Sequence, residues 1–389
     1  MANYADFQTG LYFAGLAGEV PAYPLTFGGL EAAARDKMEH RLWDYVSGGA
    51  GDEHTQRGNV AAFERWGMLP RMLSGAADRD LSIELFGHTL PSPVFLAPIG
   101  VLGVMTDDEH GDLATAAASA ASGVPMVAST LMQDPMEQVG AALGDTPGFF
   151  QLYTPNDREL AESFVHRAEA SGFRGIVVTL DTWTLGYRPR DLQHATFPQL
   201  RGGCLANYTS DPVFRSRLAA PPEEDPAAAA FQWALTFGNP TLTWDDLAWL
   251  RGLTELPLLL KGICHPDDVR RAKDAGVDGI YCSNHGGRQV ASAPAIDFLP
   301  AVVDAADGTP VLFDSGVRSG ADVVKALALG ATAVGIGRPY GYGAVLGGTA
   351  GVEFVLSCLL AEADLTMGLN GYASIAELTR DVLVRVRGA

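Results

Sequence analysis

The chain has 389 residues, 47% hydrophobic and 19% charged, the profile of a soluble globular protein with a sizeable core. Its formal net charge of −19 argues against nucleic acid or an anionic membrane as partner, and means that any site for a carboxylate must be locally positive. The four cysteines (Cys204, Cys264, Cys282, Cys358) contain no Cys-x-x-Cys pair, which fits a reducing cytoplasm and gives no sign of a zinc or other metal site.

Residues 1–92 form an N-terminal segment. Met1–Gly18 lacks a basic stretch ahead of an apolar one and does not read as a signal peptide. One helix is expected from Leu30 to Val46, and the segment is expected to cap the rest of the fold. From about residue 93, short apolar runs alternate with helical patterns. The runs are Val94–Ile99, Met126–Ser129, Phe149–Tyr153, Ile176–Asp181, Leu258–Ile263, Gly279–Ser283, Val311–Asp314 and Ala333–Ile336. Between them lie Asp107–Ser122, Pro135–Leu143, Asp157–Ser171, Pro266–Ala275, Ile296–Ala305 and Ser319–Leu329, several opening on a capping residue and closing on glycine.

Apolar runs without polar alternation are what parallel strands covered on both faces show. Eight such units predict an α/β fold, a TIM (β/α)8 barrel over 93–389, within one domain spanning 1–389. Residues 200–245 interrupt the rhythm after the fourth strand. The insertion contains Ala219-Ala220-Pro221-Pro222-Glu223-Glu224-Asp225-Pro226 and reads as structureless; Tyr208, Phe214, Phe231, Trp233 and Phe237 favour a lid. Val352–Leu365 reads as a buried helix, too short to span a bilayer.

The C-terminal strand ends form the active face of such a barrel. In order they deliver Gly100, Ser129, Gln151 with Tyr153, Thr179 with Asp181, Lys261, His285 with Arg288, Asp314, and Gly337 with Arg338. Singly, Ser129 and Thr179 could cap helices, Asp181 could close a turn and Lys261 could reach to solvent. Together they suggest a site. His285 is suited to proton exchange near neutral pH, and Arg288 to a two-pronged grip on a carboxylate. Asp314–Gly320 and Gly335–Pro339 place glycines and arginines after the seventh and eighth strands, where such barrels commonly bind phosphate.

These residues resemble the FMN-dependent L-2-hydroxy acid oxidising enzymes. The matching pieces are Asp44-Tyr45 with Ser47-Gly48-Gly49-Ala50, Ala97-Pro98-Ile99-Gly100, Gln151-Leu152-Tyr153, Thr179-Leu180-Asp181 with Arg188, Leu260-Lys261-Gly262, Ser283–Gln289 and Asp314–Gly320. Tyr45–Arg57, Arg188–Leu192 and the stretches Asn207-Tyr208 and Asp211–Phe214 are most similar to the lactate 2-monooxygenase type within the group. The resemblance implies His285 as base, oriented by Asp181. It implies Arg288 and Tyr45 on the substrate carboxylate, Tyr153 on its hydroxyl, and Arg188 as added positive charge. Pro98, Ile99, Gly100, Ser129, Gln151, Thr179, Lys261 and Ser283 would surround the FMN ring, Asp314, Gly316 and Arg318 its ribityl chain, and Gly337 and Arg338 its phosphate.

The implied reaction is oxidation of an L-2-hydroxy acid with O2 as acceptor, as oxidative decarboxylation of lactate to acetate, CO2 and water. The alternatives are an oxidase releasing 2-keto acid and peroxide, with a larger acid as a further substrate, and a catalytically silent FMN-binding barrel. A cytoplasmic homo-oligomer, tetrameric or larger, is implied by resemblance. Three residues depart from the commonest pattern, Gly100 in place of alanine, Leu131 in place of an aromatic and Ser315 in place of glycine, and the loop Val101–Asp107 departs from the lactate 2-monooxygenase type.

Overall fold

The computed structural model describes residues 3–386. Eight short strands, each buried along its whole length, follow the alternation read from sequence. They are β1 (Val94–Leu96), β2 (Val127–Ser129), β3 (Phe149–Leu152), β4 (Ile176–Thr179), β5 (Leu258–Lys261), β6 (Gly279–Cys282), β7 (Val311–Phe313) and β8 (Ala333–Ile336). They pair in the order β1-β8-β7-β6-β5-β4-β3-β2, every pairing parallel. A parallel bridge between Leu96 and Met126, with Leu96 N–H donating to the Pro125 carbonyl at 2.8 Å, brings β1 against β2 and completes the barrel.

The two-residue period of a strand sends alternate side chains inward. Phe95, Val127, Phe149, Val177, Leu259, Tyr281, Leu312 and Ala333, one from each strand, form a single cluster inside the barrel. Leu85 and Leu90, from the hairpin Ile83–Leu85/His88–Leu90, join that cluster and cover the N-terminal end. Neighbours such as Leu96, Phe150, Val178 and Leu260 face the helices instead. Each inward-facing valine, leucine and phenylalanine contributes roughly 1.5–3 kcal/mol by leaving water. With its lower end filled, the barrel is left with one open mouth, at the strand C-termini.

Four expectations need correction. The helix expected over 30–46 is two helices, Phe27–Lys37 and His40–Ser47, broken by extended backbone at Met38. The first buries Leu30 and Ala34 and packs on the final long helix, while the second turns Trp43, Tyr45 and Val46 inward. The insertion is not structureless. It folds into short helices, Ala206–Thr209, Pro212–Ser216 and Pro226–Phe237, whose Tyr208, Phe214, Trp233 and Phe237 are buried while Phe231 is exposed.

The apolar helix placed at Val352–Leu365 extends over Arg338–Leu369, 32 residues with non-helical backbone at Gly347 and Gly348. It is long and apolar enough by composition to cross a membrane, yet Val352, Leu356, Leu360 and Met367 are buried in the protein, where it packs on the helices Gly111–Ser122 and Gly320–Ala328. Finally, the helix expected from Asp107 starts at Gly111, and the loop Val101–Asp107 carries a separate helical turn, Leu102–Met105.

Candidate active site

The chain from β6 enters a tight turn, His285–Gly287, whose three residues all have positive φ (58°, 63° and 78°). A Cβ at position 287 would lie 2.5 Å from the Gln56 backbone nitrogen, so only glycine lets the helix His54–Ala61 press against this turn. The turn presents His285 at the barrel mouth. Its Nδ1 lies 2.8 Å from Asp181 Oδ1 and 3.4 Å from Thr182 Oγ1, and Thr182 also donates to Asp181 at 3.2 Å. Nε2 is then the ring nitrogen left to act on a ligand.

Burial is the largest influence on the Asp181 carboxyl and would raise it. The positive field of His285 and Lys261 and the hydrogen bonds from His285 and Thr182 outweigh burial and hold it well below the usual carboxylate range. Burial, with Lys261 and Arg188 acting in the same direction, pulls the His285 ring below its ordinary value despite Asp181. The resting pair is therefore an ionised carboxylate beside a neutral imidazole, the state in which the ring can accept a proton.

Three cations converge here. Arg288 Nη1 donates to the Gly48 carbonyl at 2.5 Å, and its guanidinium stands 5.1 Å from the centre of the Tyr45 ring. Burial, then the neighbouring Arg188, pull the Arg288 guanidinium down to about 10, still charged at neutral pH. Arg188 donates through Nε to the Arg288 carbonyl at 3.1 Å and through Nη2 to Gln289 Oε1. Lys261 Nζ donates to Ser283 Oγ at 3.2 Å. Burial raises the phenols of Tyr45 and Tyr153, so both are neutral donors. A site with this charge overcomes, locally, the negative field of the whole chain.

His285, Arg288, Arg188, Tyr45, Tyr153 and Lys261 line one cavity, which runs on past Pro98, Ile99 and Gly100 to Asp314, Gly316, Arg318, Gly337 and Arg338. Ser129, Gln151, Thr179, Asp181 and Ser283 stand just outside its lining. Ser129 Oγ donates to Gln151 Oε1 at 3.0 Å, which leaves the amide nitrogen of Gln151 free; that nitrogen and Thr179 Oγ1 are buried without a partner. At the far end the Nε groups of Arg318 and Arg338 are likewise buried without a partner. Added atoms at Gly337 would meet nothing within 4 Å, at the N-terminus of the helix Arg338–Leu369. A polar ring at the Gln151 end and a phosphate at the helix end would satisfy these groups, so the residues fit FMN.

Further side chains complete the site; of these only Phe237 is assigned a role by the sequence, as part of the lid. Gln289 Nε2 donates to the carbonyls of Asp181 and Thr184, both at 3.1 Å, while its Oε1 receives Arg188. Ser315, with φ of 90°, accepts from Asn284 N at 3.2 Å and Gly286 N at 3.1 Å and donates to Asp314 Oδ1 at 2.9 Å. From the insertion and the segment before it, Phe237 packs on Tyr153 (ring centres 5.1 Å apart), Phe197 on Tyr45 (5.7 Å), and Gln199 donates to the Gly100 carbonyl at 3.0 Å.

The chain is similar to known proteins along most of its length. The model of the family "FMN-dependent dehydrogenase" matches residues 34–385. The FMN-dependent alpha-hydroxy acid dehydrogenase qulF of Penicillium citrinum is 41% identical over 99% of this chain and 96% of its own. L-lactate oxidase of Lysinibacillus sphaericus is 40% identical over 94% of each chain. Among solved structures, a soluble mutant of the membrane-associated (S)-mandelate dehydrogenase from Pseudomonas putida superposes with a TM-score of 0.83 at 33% identity, covering 93% of this chain and 99% of that one. A lactate oxidase of Pediococcus acidilactici gives 0.82 at 33% identity, covering 95% and 97%. The chain thus belongs to the FMN-dependent dehydrogenase family and is an oxidoreductase with FMN as its cofactor.

Proposed function

We propose that the enzyme oxidises a small L-2-hydroxy acid such as lactate with O2 as acceptor. The observation that carries this reading is the Asp181–His285 pair, 2.8 Å apart, facing a cavity that Arg288 and Arg188 make positive. Arg288 and the Tyr45 hydroxyl bind the substrate carboxylate, and Arg188 adds charge beside them. Tyr153 donates to the substrate hydroxyl. His285 Nε2 takes up a proton as the substrate loses two electrons, and Asp181 stabilises the imidazolium that results. FMN, when bound, would supply the two-electron acceptor chemistry, with O2 as the terminal acceptor. Pro98, Ile99, Gly100, Ser129, Gln151, Thr179, Lys261 and Ser283 hold the ring; Asp314, Gly316 and Arg318 hold the ribityl chain; Gly337 and Arg338 hold the phosphate.

The fate of the keto acid sets the overall reaction. The insertion and the segment leading into it are packed onto Tyr45 and Tyr153 through Phe197 and Phe237, which supports retention of the keto acid beside the peroxide formed from O2. Attack of that peroxide on the keto carbon then gives acetate, CO2 and water from lactate. A second reading, favoured by the relatives named L-lactate oxidase, is release of pyruvate and peroxide. Aerobic product analysis with lactate decides between them: acetate without peroxide supports the first, pyruvate with peroxide the second. Anaerobic bleaching of the yellow protein by lactate tests both, and His285→Gln is expected to keep the colour and lose most of the bleaching. Rapid reduction of that variant would overturn the role of His285.

A homo-oligomer, tetrameric or larger, is part of the proposal. The helix Asp6–Leu16 buries none of its residues and leaves Tyr12, Phe13 and Leu16 exposed, as a subunit contact would require. Light scattering that gave a monomer mass would remove it. The free state of all four cysteines supports a cytoplasmic location.

A further inference from the structure

Among the described residues, His40, Asp44 and His194 bring three ligand atoms within 4.8 Å of one another, outside the active-site cavity. His40 opens the helix His40–Ser47 and Asp44 lies four residues on, so both project from one face. His194 caps the C-terminal end of the helix Pro189–Gln193, which begins the segment after Arg188. Both imidazoles turn Nε2 toward the same carboxylate oxygen: His194 Nε2 stands 2.7 Å and His40 Nε2 3.5 Å from Asp44 Oδ2. The rings meet edge to face, 5.2 Å between centres. Arg190 approaches the other carboxylate oxygen, Oδ1, at 3.8 Å and leaves Oδ2 to the histidines.

We propose that this cluster is a binding site for a divalent transition-metal ion, with Zn2+ as the fitting occupant. Two imidazoles and one carboxylate are the donor set such ions favour, and three protein ligands leave a position for water. His40 is 73% exposed, so an ion can enter from solvent without opening the fold. Coordination needs a bare Nε2 on each ring. Binding therefore replaces the His194–Asp44 contact with bonds from both groups to the ion.

Position gives the ion a consequence. Asp44 precedes Tyr45, and His194 follows Arg188 by six positions, so the ion fastens the helix bearing one cavity residue to the segment bearing another. The sequence hid the site: His40 and Asp44 are close in the chain, but the third ligand is 150 residues from Asp44.

The test uses the tag-free, FMN-loaded protein, freed of metal and titrated with zinc chloride against a chromophoric chelator. One ion per chain is expected, with His40→Ala and His194→Ala each at least tenfold weaker and His285→Gln unchanged. Zinc should also slow amide hydrogen exchange across 189–196 in the wild type and not in His40→Ala. No binding by the wild type, or binding by the His40 and His194 variants as tight as the wild type's, overturns the site. Unchanged exchange in the zinc-loaded wild type overturns the fastening.

Discussion

The backbone carbonyl of Arg288 accepts a 3.1 Å hydrogen bond from Nε of Arg188, so the two arginines that flank the substrate position are joined through the main chain of one of them. Gln289 completes the join. Its side-chain oxygen accepts from Arg188 Nη2, and its amide nitrogen donates to the Asp181 and Thr184 carbonyls. One uncharged side chain thereby sets the spacing between the proton acceptor's partner and the carboxylate-binding charge. Gln289→Leu should keep FMN bound while lowering kcat/KM by about 100-fold, the cost of misplacing catalytic groups by about an ångström. Stopped-flow reduction by lactate measures it, and a loss under threefold would show that Arg188 and Asp181 are held without Gln289.

The resting charge state of the His285–Asp181 pair fixes the sign of a pH effect. Burial, Lys261 and Arg188 together place the imidazole below 6.5, while Asp181 pulls it up. The base form then predominates at neutral pH, and kcat/KM should be flat there and fall tenfold per unit below the ring's depressed pKa. Asp181→Asn removes the influence that raises the ring. Its acid limb should move to lower pH while the plateau drops by roughly 10²–10⁴. A limb that moved to higher pH would contradict the pairing.

The barrel itself was legible because parallel strands covered on both faces carry unbroken apolar runs. All eight strands lie within the runs read from sequence, and apart from Met126 the excess is confined to residues past the strand ends, such as Asp181 and Tyr153. Those are the positions where the chain leaves the sheet to place side chains in the mouth. The break at Met38 was not legible: Leu30–Val46 has continuous helical spacing with no proline or glycine near Met38, and only the divergent packing of Leu30 and Tyr45 splits it. The insertion did carry a readable signal. Asp211-Pro212 and Asp225-Pro226 are acidic caps followed by proline in the first turn, and both open helices, with Asp211 accepting from Val213 N at 2.8 Å and Asp225 from Ala228 N at 2.9 Å.

The turn after β7 combines two left-handed residues with opposite tolerances. At Gly316, with φ of 94°, an added Cβ would lie 2.4 Å from the Asn59 carbonyl oxygen. Asn59 cannot yield easily, since its side chain exchanges hydrogen bonds of 2.8 and 2.9 Å with Asn284. Gly316→Ala should cost roughly 2–4 kcal/mol from backbone strain and overpacking. Denaturant unfolding measures this, and FMN affinity should fall with it. Ser315→Gly relieves a similar strain but deletes the hydroxyl shared by Asn284, Gly286 and Asp314, and should change stability by less than about 1 kcal/mol. Equal losses in the two variants would refute the distinction.

Retention of the keto acid depends on how tightly the insertion closes over the cavity. Phe237 is the part of that cover nearest the substrate groups, its ring 5.1 Å from that of Tyr153 and 5.0 Å from that of Trp233. Truncation leaves both neighbours in place and opens a gap beside the position proposed for the substrate hydroxyl. If the closed insertion is what keeps pyruvate beside peroxide, Phe237→Ala should lower the acetate yield from lactate and raise free pyruvate and peroxide, while the anaerobic reduction rate changes less than tenfold. Quantifying acetate, pyruvate and peroxide from one aerobic reaction supplies the ratio. An acetate fraction equal to that of the wild type would show that escape is not controlled here, and wild-type protein yielding only pyruvate and peroxide would leave the oxidase reading in its place.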